Sequence, residues 1–204
     1  IVKGFTTNPS LMRKAGAKDY KSYSKKILKA CPNKPVSLEV FADDPINMKK
    51  QALKINKWGK NVFVKIPIVN SKGKFSGQVI RNLNSKGIKL NITAVYTYEQ
   101  VKKVFNILNN KTQTIISIFA GRMADVGKDP IPIFKKSIKL VKTKKNVKIL
   151  WASTREVYNL TQANDIKCHI ITVPPNILEK IKIFKTTYKQ LTTDTVKNFL
   201  KDSK

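Results

Sequence analysis

The chain has little of the residue types that build metal, cofactor and crosslinked sites. Among 204 residues it has two cysteines, Cys31 and Cys168, and one histidine, His169. Two distant cysteines without CxxC spacing support neither a disulfide framework nor a zinc site. No GxGxxG follows the first predicted strand and no Walker-type loop is present, which counts against a nucleotide site. We therefore expect two reduced thiols, no metal and no cofactor.

Long apolar runs are also missing. No stretch approaches the roughly 20 apolar residues that a membrane span needs, and the first residues do not resemble a signal peptide. We therefore expect a cytoplasmic protein without a membrane partner. With 204 residues and 41% apolar content, the chain is long enough for one well-buried domain and short for two. We expect residues 1–204 to form a single domain.

Acidic residues are scarce: 12 oppose 41 basic ones, which leaves a formal net charge of +29. A basic face releases counterions when it meets a phosphate backbone, so a nucleic-acid-binding protein is one hypothesis. The lysines, however, lie along nearly every predicted helix and loop, without a basic tail or a stripe interleaved with aromatics. Because only four of the basic residues are arginine, we interpret the charge as compositional bias and expect no specific nucleic-acid partner.

What the chain does contain is a regular alternation of β-rich runs and amphipathic stretches. This rhythm is typical of βα units around a parallel sheet. The predicted strands cover residues 2–5, 36–41, 61–66, 88–93, 114–118, 147–152 and 168–172. Helices are predicted near residues 20–30, 45–58, 75–86, 98–109, 131–141, 155–164, 174–182 and 186–200. Seven such units fit either an open doubly wound sheet or an eight-stranded barrel short of one strand.

Polar side chains at the strand ends favour the barrel. An open sheet concentrates its site at one switch point, whereas barrel enzymes gather their chemistry from many strand ends. Six successive strands here end in reactive or hydrogen-bonding groups, which include Thr6, Asn8, Glu39, Lys65, Asn91, Thr93, Ser117, Arg122, Ser153 and Arg155. We therefore predict an α/β fold, a (β/α)8 TIM barrel that is short of one strand in this chain.

Lys65 stands out because it lies inside the apolar run VFVKIPI at residues 62–68. A run that is apolar on both faces suits a parallel strand covered on both sides, which leaves a lysine no solvent face. An ammonium group in such surroundings loses hydration, which favours the neutral amine, a nucleophile toward carbonyl groups. The competing interpretation is a solvated lysine that points outward from the strand.

Seven segments resemble the transaldolase and fructose-6-phosphate aldolase family of class I aldolases. In family order they are GFTTNPS (4–10), SLEV (37–40), VFVKIP (62–67), NITAVY (91–96), SIFAGR (117–122), ASTR (152–155) and TVPP (172–175). Members are (β/α)8 barrels that use a Schiff-base lysine and no metal. The resemblance covers essentially the whole chain and implies sugar-phosphate substrates.

By this resemblance, Lys65 forms an imine with the C2 carbonyl of a ketose phosphate. Glu39 and Thr93 correspond to the pair that holds a catalytic water beside the lysine. Asn8 and Ser117 correspond to residues that hydrogen-bond the hydroxyls of the bound three-carbon unit.

The resemblance also assigns the rest of the substrate site. Arg122 and Arg155 match the arginines that take the phosphate, whose oxygens a guanidinium fork binds bidentately. Asp125 is expected to orient Arg122 or to cap a loop. Thr6, beside the hydroxyl-binding wall, Ser153, beside the phosphate, Asn91 and Phe119 complete the set.

Two positions separate transfer from cleavage within the family. Transaldolases have glutamate and phenylalanine where this chain has Glu39 and Phe119, whereas fructose-6-phosphate aldolases have glutamine and tyrosine. A tyrosine hydroxyl there would promote release of free dihydroxyacetone. The resemblance therefore implies transaldolase activity, in the pentose phosphate pathway or related sugar-phosphate metabolism. Aldolase-type cleavage is the alternative, and a basic nucleic-acid-binding protein is the alternative from another class.

The chain departs from the family pattern at its start. Family members begin with a strand whose aspartate moves the proton of the C4 hydroxyl, and Ile1 corresponds to a point just before the second family strand. By this resemblance the chain lacks the first strand and helix of the barrel. We expect the sequence to be a fragment of a longer protein, with a defective barrel as the alternative, and the chain as given to form imines but turn over poorly without that aspartate. Small family members assemble into rings through the last helix, so a homo-oligomer is expected. The apolar spacing of residues 186–200 fits that contact and packing on the chain's own barrel equally well.

Overall fold

Seven parallel strands lie side by side in chain order. The structure is a computed structural model that describes residues 2–203, so Ile1 and Lys204, the ends of the predicted domain, lie outside it. Each strand pairs in parallel with the next one in the chain. The strands are β1 (Phe5–Thr6), β2 (Val36–Glu39), β3 (Val62–Pro67), β4 (Leu90–Val95), β5 (Thr114–Phe119), β6 (Val147–Ala152) and β7 (Ile170–Ile171).

Helices connect the strands and continue beyond the last one. They are α1 (Pro9–Lys14), α2 (Tyr20–Ala30), α3 (Pro45–Asn56), α4 (Gly77–Ser85), α5 (Tyr98–Ile107), α6 (Ala120–Asp125), α7 (Ile131–Val141), α8 (Tyr158–Asp165), α9 (Pro175–Lys180) and α10 (Tyr188–Asp202), with a short 3₁₀ helix at Ile181–Ile183. No helix within residues 2–203 has both the length and the apolar character for crossing a membrane.

The sheet is an open, incomplete (β/α)8 barrel. Over residues 2–203, β1 and β7 form the two edges and do not pair with each other. A sheet in sequential parallel order with intervening helices is the barrel arrangement rather than the doubly wound one, in which the strand order reverses. The predicted fold class is therefore confirmed.

The two faces of the sheet differ in what they bury. On β3, Val62, Val64 and Ile66 belong to the large core that packs against the helices. Phe63, between them, belongs to a smaller cluster on the other face. Lys65 shares that second face and is 7% exposed. The interpretation of Lys65 as a solvated, outward-pointing lysine is therefore wrong.

Local signals explain most helix starts. Side chains of Asn8, Asp19, Asp44, Thr97 and Thr187 cap the helices that follow them. Each such cap satisfies a backbone N–H that has no partner within the helix and is worth about 1 kcal/mol. Prolines lie in the first turn of α1, α3 and α9, where their missing N–H has no cost.

The structure departs from the predicted elements in several places. The edge strands β1 and β7 have two residues each, which is shorter than predicted, because each has a strand neighbour on one side only. The helices α1 and α6 were not predicted, since six residues are too few to show a helical period. β4 continues to Val95 through a register shift, and α8 begins at Tyr158 rather than at residue 155.

Candidate functional site

Lys65, which is buried, and Glu39, which is partly buried, form an ion pair at the carboxyl end of the sheet. The register of β2 and β3 places the two residues opposite each other, so their side chains leave the same face as neighbours. Lys65 Nζ lies 3.3 Å from Glu39 Oε2, with side-chain exposures of 9% and 17%. Nζ also donates to the main-chain carbonyl of Thr7 at 3.1 Å. The apolar run around Lys65 is thus only part of its surroundings, and its ammonium has an anionic partner.

A buried polar chain lies on the same face. The Asn91 Nδ2 donates to Ser37 Oγ at 3.0 Å, and the Ser117 hydroxyl donates to Asn91 Oδ1 at 2.6 Å. Asn91 is the register partner of Lys65, and all three polar residues are at most 3% exposed. Both ends of the Asn91 amide are therefore used within the protein. The contacts tie β2, β4 and β5 together beside the lysine.

Thr93 lies two residues farther along β4 and presents a hydroxyl without a protein partner. The residue is 2% exposed, and its Oγ1 makes no hydrogen bond to any group in residues 2–203. The strand bulges at this point, with a register shift between Ile92 and Val95 and a φ of 59° at Ala94. Bulges of this kind re-aim side chains next to active sites. Thr93 therefore offers an unpaired hydroxyl two residues beyond Asn91, the register partner of Lys65.

The end of β1 contributes three residues in different ways. Thr6 is half-buried and pairs with Ser37 in the sheet. Asn8 Oδ1 accepts from the Leu11 N–H at 2.8 Å and caps α1, so its side-chain oxygen serves the fold. Thr7, which sequence reasoning did not single out, donates its hydroxyl to the Ser37 carbonyl at 2.8 Å. Its contact with Lys65 uses a backbone carbonyl, which leaves no signature in the sequence.

Arg122 and Arg155 line one cavity of about 650 Å³. The cavity lies beyond the ends of β4, β5 and β6, and its wall also includes Tyr96, Thr97, Met123, Asp125 and Lys128. Lys65 and Glu39 do not line it. The structure thus brings the arginines together as a second group, joined to the lysine group through β4 and β5.

The contacts of the two arginines differ from the expected ones. Arg155 Nη2 lies 2.6 Å from Asp125 Oδ2, and both side chains are about half exposed, at 51% and 48%. The guanidinium of Arg122 lies over the Phe119 ring, 5.4 Å from its centroid. The prediction that Asp125 orients Arg122 is therefore wrong, because the carboxylate contacts Arg155 across 30 residues of sequence.

Gly121 brings the two arginine-bearing segments together. A Cβ atom at this position would overlap the carbonyl oxygen of Ser153 and lie 2.6 Å from Arg155 Cγ. Only glycine permits so close an approach of one backbone to another. Ser153 itself has a φ of 64°, an uncommon conformation for a residue with a side chain. Sequence reasoning missed this role, although a glycine directly before Arg122 was a possible signal.

No candidate metal site accompanies these groups. Within residues 2–203, no cluster of three or more histidine, cysteine, aspartate or glutamate side chains could hold a metal ion. The arrangement therefore offers a buried amine beside a carboxylate, a free hydroxyl, and a pair of guanidinium groups at an exposed cavity. Such a set can form a covalent adduct with a carbonyl compound and bind an anionic group on it.

Comparisons with known proteins agree with the geometry. The model of a family described as Transaldolase/Fructose-6-phosphate aldolase matches residues 1–204. A relative from Dehalococcoides mccartyi named "Probable transaldolase" is 34% identical over 179 residues, which cover 87% of this chain and 79% of that protein.

Two solved structures show the same fold at low sequence identity. An inosine 5' monophosphate dehydrogenase from Legionella pneumophila matches with a TM-score of 0.56 at 11% identity, over 86% of this chain and 58% of its own. The KGPDC protein of Streptococcus mutans matches with a TM-score of 0.53 at 12% identity, over 84% of this chain and 75% of its own. Both are TIM-barrel proteins, and at such identity the similarity concerns the fold alone.

Proposed function

Because this chain belongs to the transaldolase/fructose-6-phosphate aldolase family, we propose that it transfers a dihydroxyacetone unit from a ketose phosphate to an aldose phosphate. The observation that carries this proposal is the buried Lys65 amine, 3.3 Å from the Glu39 carboxylate. A lysine that is buried among strands and held by a carboxylate is suited to imine formation with a carbonyl substrate. The acceptor is an aldose phosphate such as glyceraldehyde 3-phosphate or erythrose 4-phosphate.

The first step is imine formation at Lys65. The Lys65 ammonium gives a proton to Glu39, and the free amine adds to the C2 carbonyl of the ketose phosphate. The resulting carbinolamine loses its hydroxyl as water and leaves a protonated imine. Glu39, assisted by a water that it shares with the Thr93 hydroxyl, relays the protons of this step.

The second step breaks and remakes one carbon–carbon bond. The protonated imine accepts the electron pair of the C3–C4 bond and becomes an enamine on Lys65. The C4 hydroxyl gives its proton to a carboxylate, the aspartate of the family's first strand, and C4 leaves as the aldehyde of an aldose phosphate. The same aspartate returns the proton when the acceptor aldehyde becomes the new C4 hydroxyl. The enamine then attacks the carbonyl carbon of the acceptor, and hydrolysis of the new imine returns the Lys65 amine.

The arginines give the site its preference for phosphorylated sugars. Arg122 and Arg155 face one cavity and supply the charge-assisted donors that phosphate oxygens prefer. Thr6, Asn8 and Ser153 lie at or just beyond strand ends, and Asn91 and Ser117 lie within β4 and β5. These five residues are proposed to surround the sugar chain, Asn8 through its Nδ2 because its Oδ1 caps α1. This assignment predicts that an unphosphorylated ketose saturates the enzyme only at much higher concentration.

Phe119 favours transfer over cleavage. Its ring packs against Tyr96 at 5.7 Å between centroids and carries the Arg122 guanidinium on its face. A phenyl ring cannot protonate the enamine, so the three-carbon unit stays on Lys65 until an acceptor arrives. If free dihydroxyacetone accumulated from fructose 6-phosphate without acceptor as fast as transfer proceeds, the aldolase-type alternative would replace this proposal.

Borohydride trapping tests the central claim. Reduction in the presence of fructose 6-phosphate should fix the sugar to the chain, and peptide mapping should place the added mass on Lys65. Lys65→Met should abolish the adduct. Lys89→Met is the matched control, because Lys89 lies at the start of neighbouring β4 and its Nζ sits 5.4 Å from the Phe63 centroid. An adduct on another lysine would sink the proposal.

The domain, the compartment and the assembly complete the proposal. We take residues 1–204 as one barrel domain of a cytoplasmic enzyme of sugar-phosphate metabolism that associates with copies of itself through α10. Within the described residues, no side chain of α10 is buried, and Tyr188, Phe199 and Leu200 are 88%, 67% and 62% exposed. Light scattering should report an oligomer that Phe199→Asp dissociates and Lys197→Asp leaves intact.

A further inference from the structure

Within residues 2–203, β2 has no strand neighbour on one edge at Glu39, the residue whose carboxylate contacts Lys65. β1 pairs with β2 only at Val36 and Ser37. The carbonyls of Pro35 and Ser37 accept from Phe5 and Thr7 of the β1 segment at 2.8 and 3.1 Å. Backbone groups of a strand alternate in direction with a period of two residues, so the N–H and C=O of Glu39 point to this same side. The chain has turned away into α1 by then.

Tyr20 takes the place of the missing strand at Glu39. Its hydroxyl accepts from the Glu39 N–H at 2.8 Å and donates to the Glu39 carbonyl at 3.0 Å. A hydroxyl can donate and accept at once, so a single side-chain atom satisfies both backbone groups. On the opposite edge, β2 remains paired with β3 up to the register of Glu39 with Lys65.

The Tyr20 side chain is held firmly enough to fix this position. It opens α2, whose first turn is capped by Asp19 through the Ser22 N–H at 2.8 Å. Its ring packs edge-on against Phe41 at 4.5 Å and lies 5.8 Å from Trp58. Burial raises the pKa of Tyr20 to about 12. The hydroxyl therefore keeps the proton that it donates to the Glu39 carbonyl at and well above neutral pH.

We propose that Tyr20 is a positioning residue that holds the Glu39 backbone, and through it the Glu39 carboxylate, beside Lys65. This inference rests on the proposed function. Without the hydroxyl, the end of β2 has one free edge, and the carboxylate is no longer fixed 3.3 Å from Lys65 Nζ. Misplacement of a catalytic group by about 1 Å costs roughly 100-fold in rate, so a partial loss of position costs less than that.

Tyr20→Phe tests the proposal, with Tyr23→Phe as the matched control. Tyr23 lies on the same helix, and its hydroxyl makes only a long 3.4 Å contact with the Ala15 carbonyl. At saturating fructose 6-phosphate, Tyr20→Phe should slow formation of the borohydride-trapped adduct about tenfold. The half-saturating concentration should stay within about twofold. Tyr23→Phe should match the wild type in both quantities, and circular dichroism should show both variants folded at the assay temperature.

A double-mutant cycle with Glu39→Gln separates positioning from a general structural effect. If Tyr20 acts through Glu39, adding Tyr20→Phe to Glu39→Gln should slow trapping less than twofold further. An equal tenfold loss in both backgrounds would overturn the proposal. So would a raised half-saturating concentration at an unchanged rate.

Labelling of Lys65 by acetic anhydride, mapped by mass spectrometry, needs no sugar. Tyr20→Phe should label Lys65 several-fold faster than Tyr23→Phe, because a Lys65 amine that the Glu39 carboxylate no longer holds at 3.3 Å is more accessible to the reagent. Equal labelling would refute the positioning role even if the wild type formed no imine. Absence of the wild-type adduct together with faster labelling would instead refute the proposed function alone.

Discussion

The molecule contains two ion pairs in its candidate site, and they differ in almost every physical respect. Lys65 and Glu39 are joined across adjacent strands, with side-chain exposures of 9% and 17%. Arg155 and Asp125 are joined between two connecting segments, with exposures of 51% and 48%. Charges in buried surroundings interact strongly, whereas exposed pairs are screened and contribute about 0–1 kcal/mol. The Lys65–Glu39 pair is therefore expected to keep its geometry, whereas Arg155 can exchange Asp125 for another anion.

The two groups are also positioned by different means. Strand register and the polar chain through Asn91 set the lysine group. A close backbone approach at Gly121 and an unusual conformation at Ser153 set the arginine group. This difference fits the proposed chemistry, because a covalent step needs fixed atoms while a phosphate group tolerates adjustable donors. Changes in the lysine group should thus affect rate, and changes in the arginine group should affect saturation.

Glu39→Gln should have the largest effect. The amide cannot relay a proton to or from Lys65, and general acid–base catalysis contributes roughly 100-fold or more. We expect borohydride trapping at saturating fructose 6-phosphate to slow about 100-fold, with an unchanged half-saturating concentration. Glu99→Gln in the first turn of α5 is the control. A changed half-saturating concentration at an unchanged trapping rate would contradict the claim that the lysine group controls the rate.

Gly121→Ala should affect the arginine group and leave the lysine group unchanged. The new methyl group would overlap Ser153 O, so the two arginine-bearing segments must separate. Loss of one charge-assisted contact with phosphate corresponds to roughly 10- to 100-fold in affinity. The half-saturating concentration of fructose 6-phosphate should rise by that factor while the trapping rate at saturation holds. An equal fall in the rate at saturation would show that the two groups are mechanically coupled.

Asp125→Asn should have a smaller effect, of opposite sign. The Asp125 carboxylate pairs with the Arg155 guanidinium at 2.6 Å. A bound phosphate must therefore share the guanidinium with this carboxylate or displace the carboxylate from it. Because an exposed ion pair is worth at most about 1 kcal/mol, the half-saturating concentration should fall by up to about fivefold. Asp129→Asn makes the same charge change at a carboxylate that contacts the Ile131 N–H instead. A tenfold rise would mean that Asp125 orients Arg155 for binding.

The smallest expected effect is on the pH dependence of stability, and it comes from His169, which belongs to neither group. Burial and the nearby Lys148 charge lower the pKa of His169 below its usual 6.5. The unfolded chain therefore takes up this proton first, so stability is full above pH 6.5 and declines as pH falls through the folded pKa. His169→Asn should flatten this decline in thermal melts between pH 8 and 5, because asparagine does not titrate. The asparagine amide oxygen can accept from the Ile149 N–H in place of Nδ1, so the local fold is kept. An unchanged slope would assign the decline to other groups.

Long, doubly buried strands were predictable, whereas the edges of the sheet were not. β5 and β6 match their predicted positions within one residue, because burial on both faces demands a continuous apolar run. The lengths of β1 and β7 depend on how far a neighbour extends, and their own residues do not record this. The bulge at Ala94 likewise depends on the register with β5.

In the site, side-chain chemistry was predictable and backbone chemistry was not. The sequence pattern indicated that Lys65 and Glu39 lie on neighbouring strands. It did not reveal the Thr7 carbonyl at Lys65 or the Tyr20 hydroxyl at Glu39. The partner of Asp125 was predicted wrongly, because proximity in sequence favoured Arg122.

The sequence by itself determined the alternation of strands and helices, the apolar run around Lys65 and the residue types at the strand ends. These follow from periodicity and hydration, which act on each segment locally. Only the tertiary structure decided two further contacts: Tyr20 with the Glu39 backbone, and Asp125 with Arg155. Such contacts join residues 19 and 30 positions apart, and they depend on strand register and backbone approach, which no local run of residues specifies.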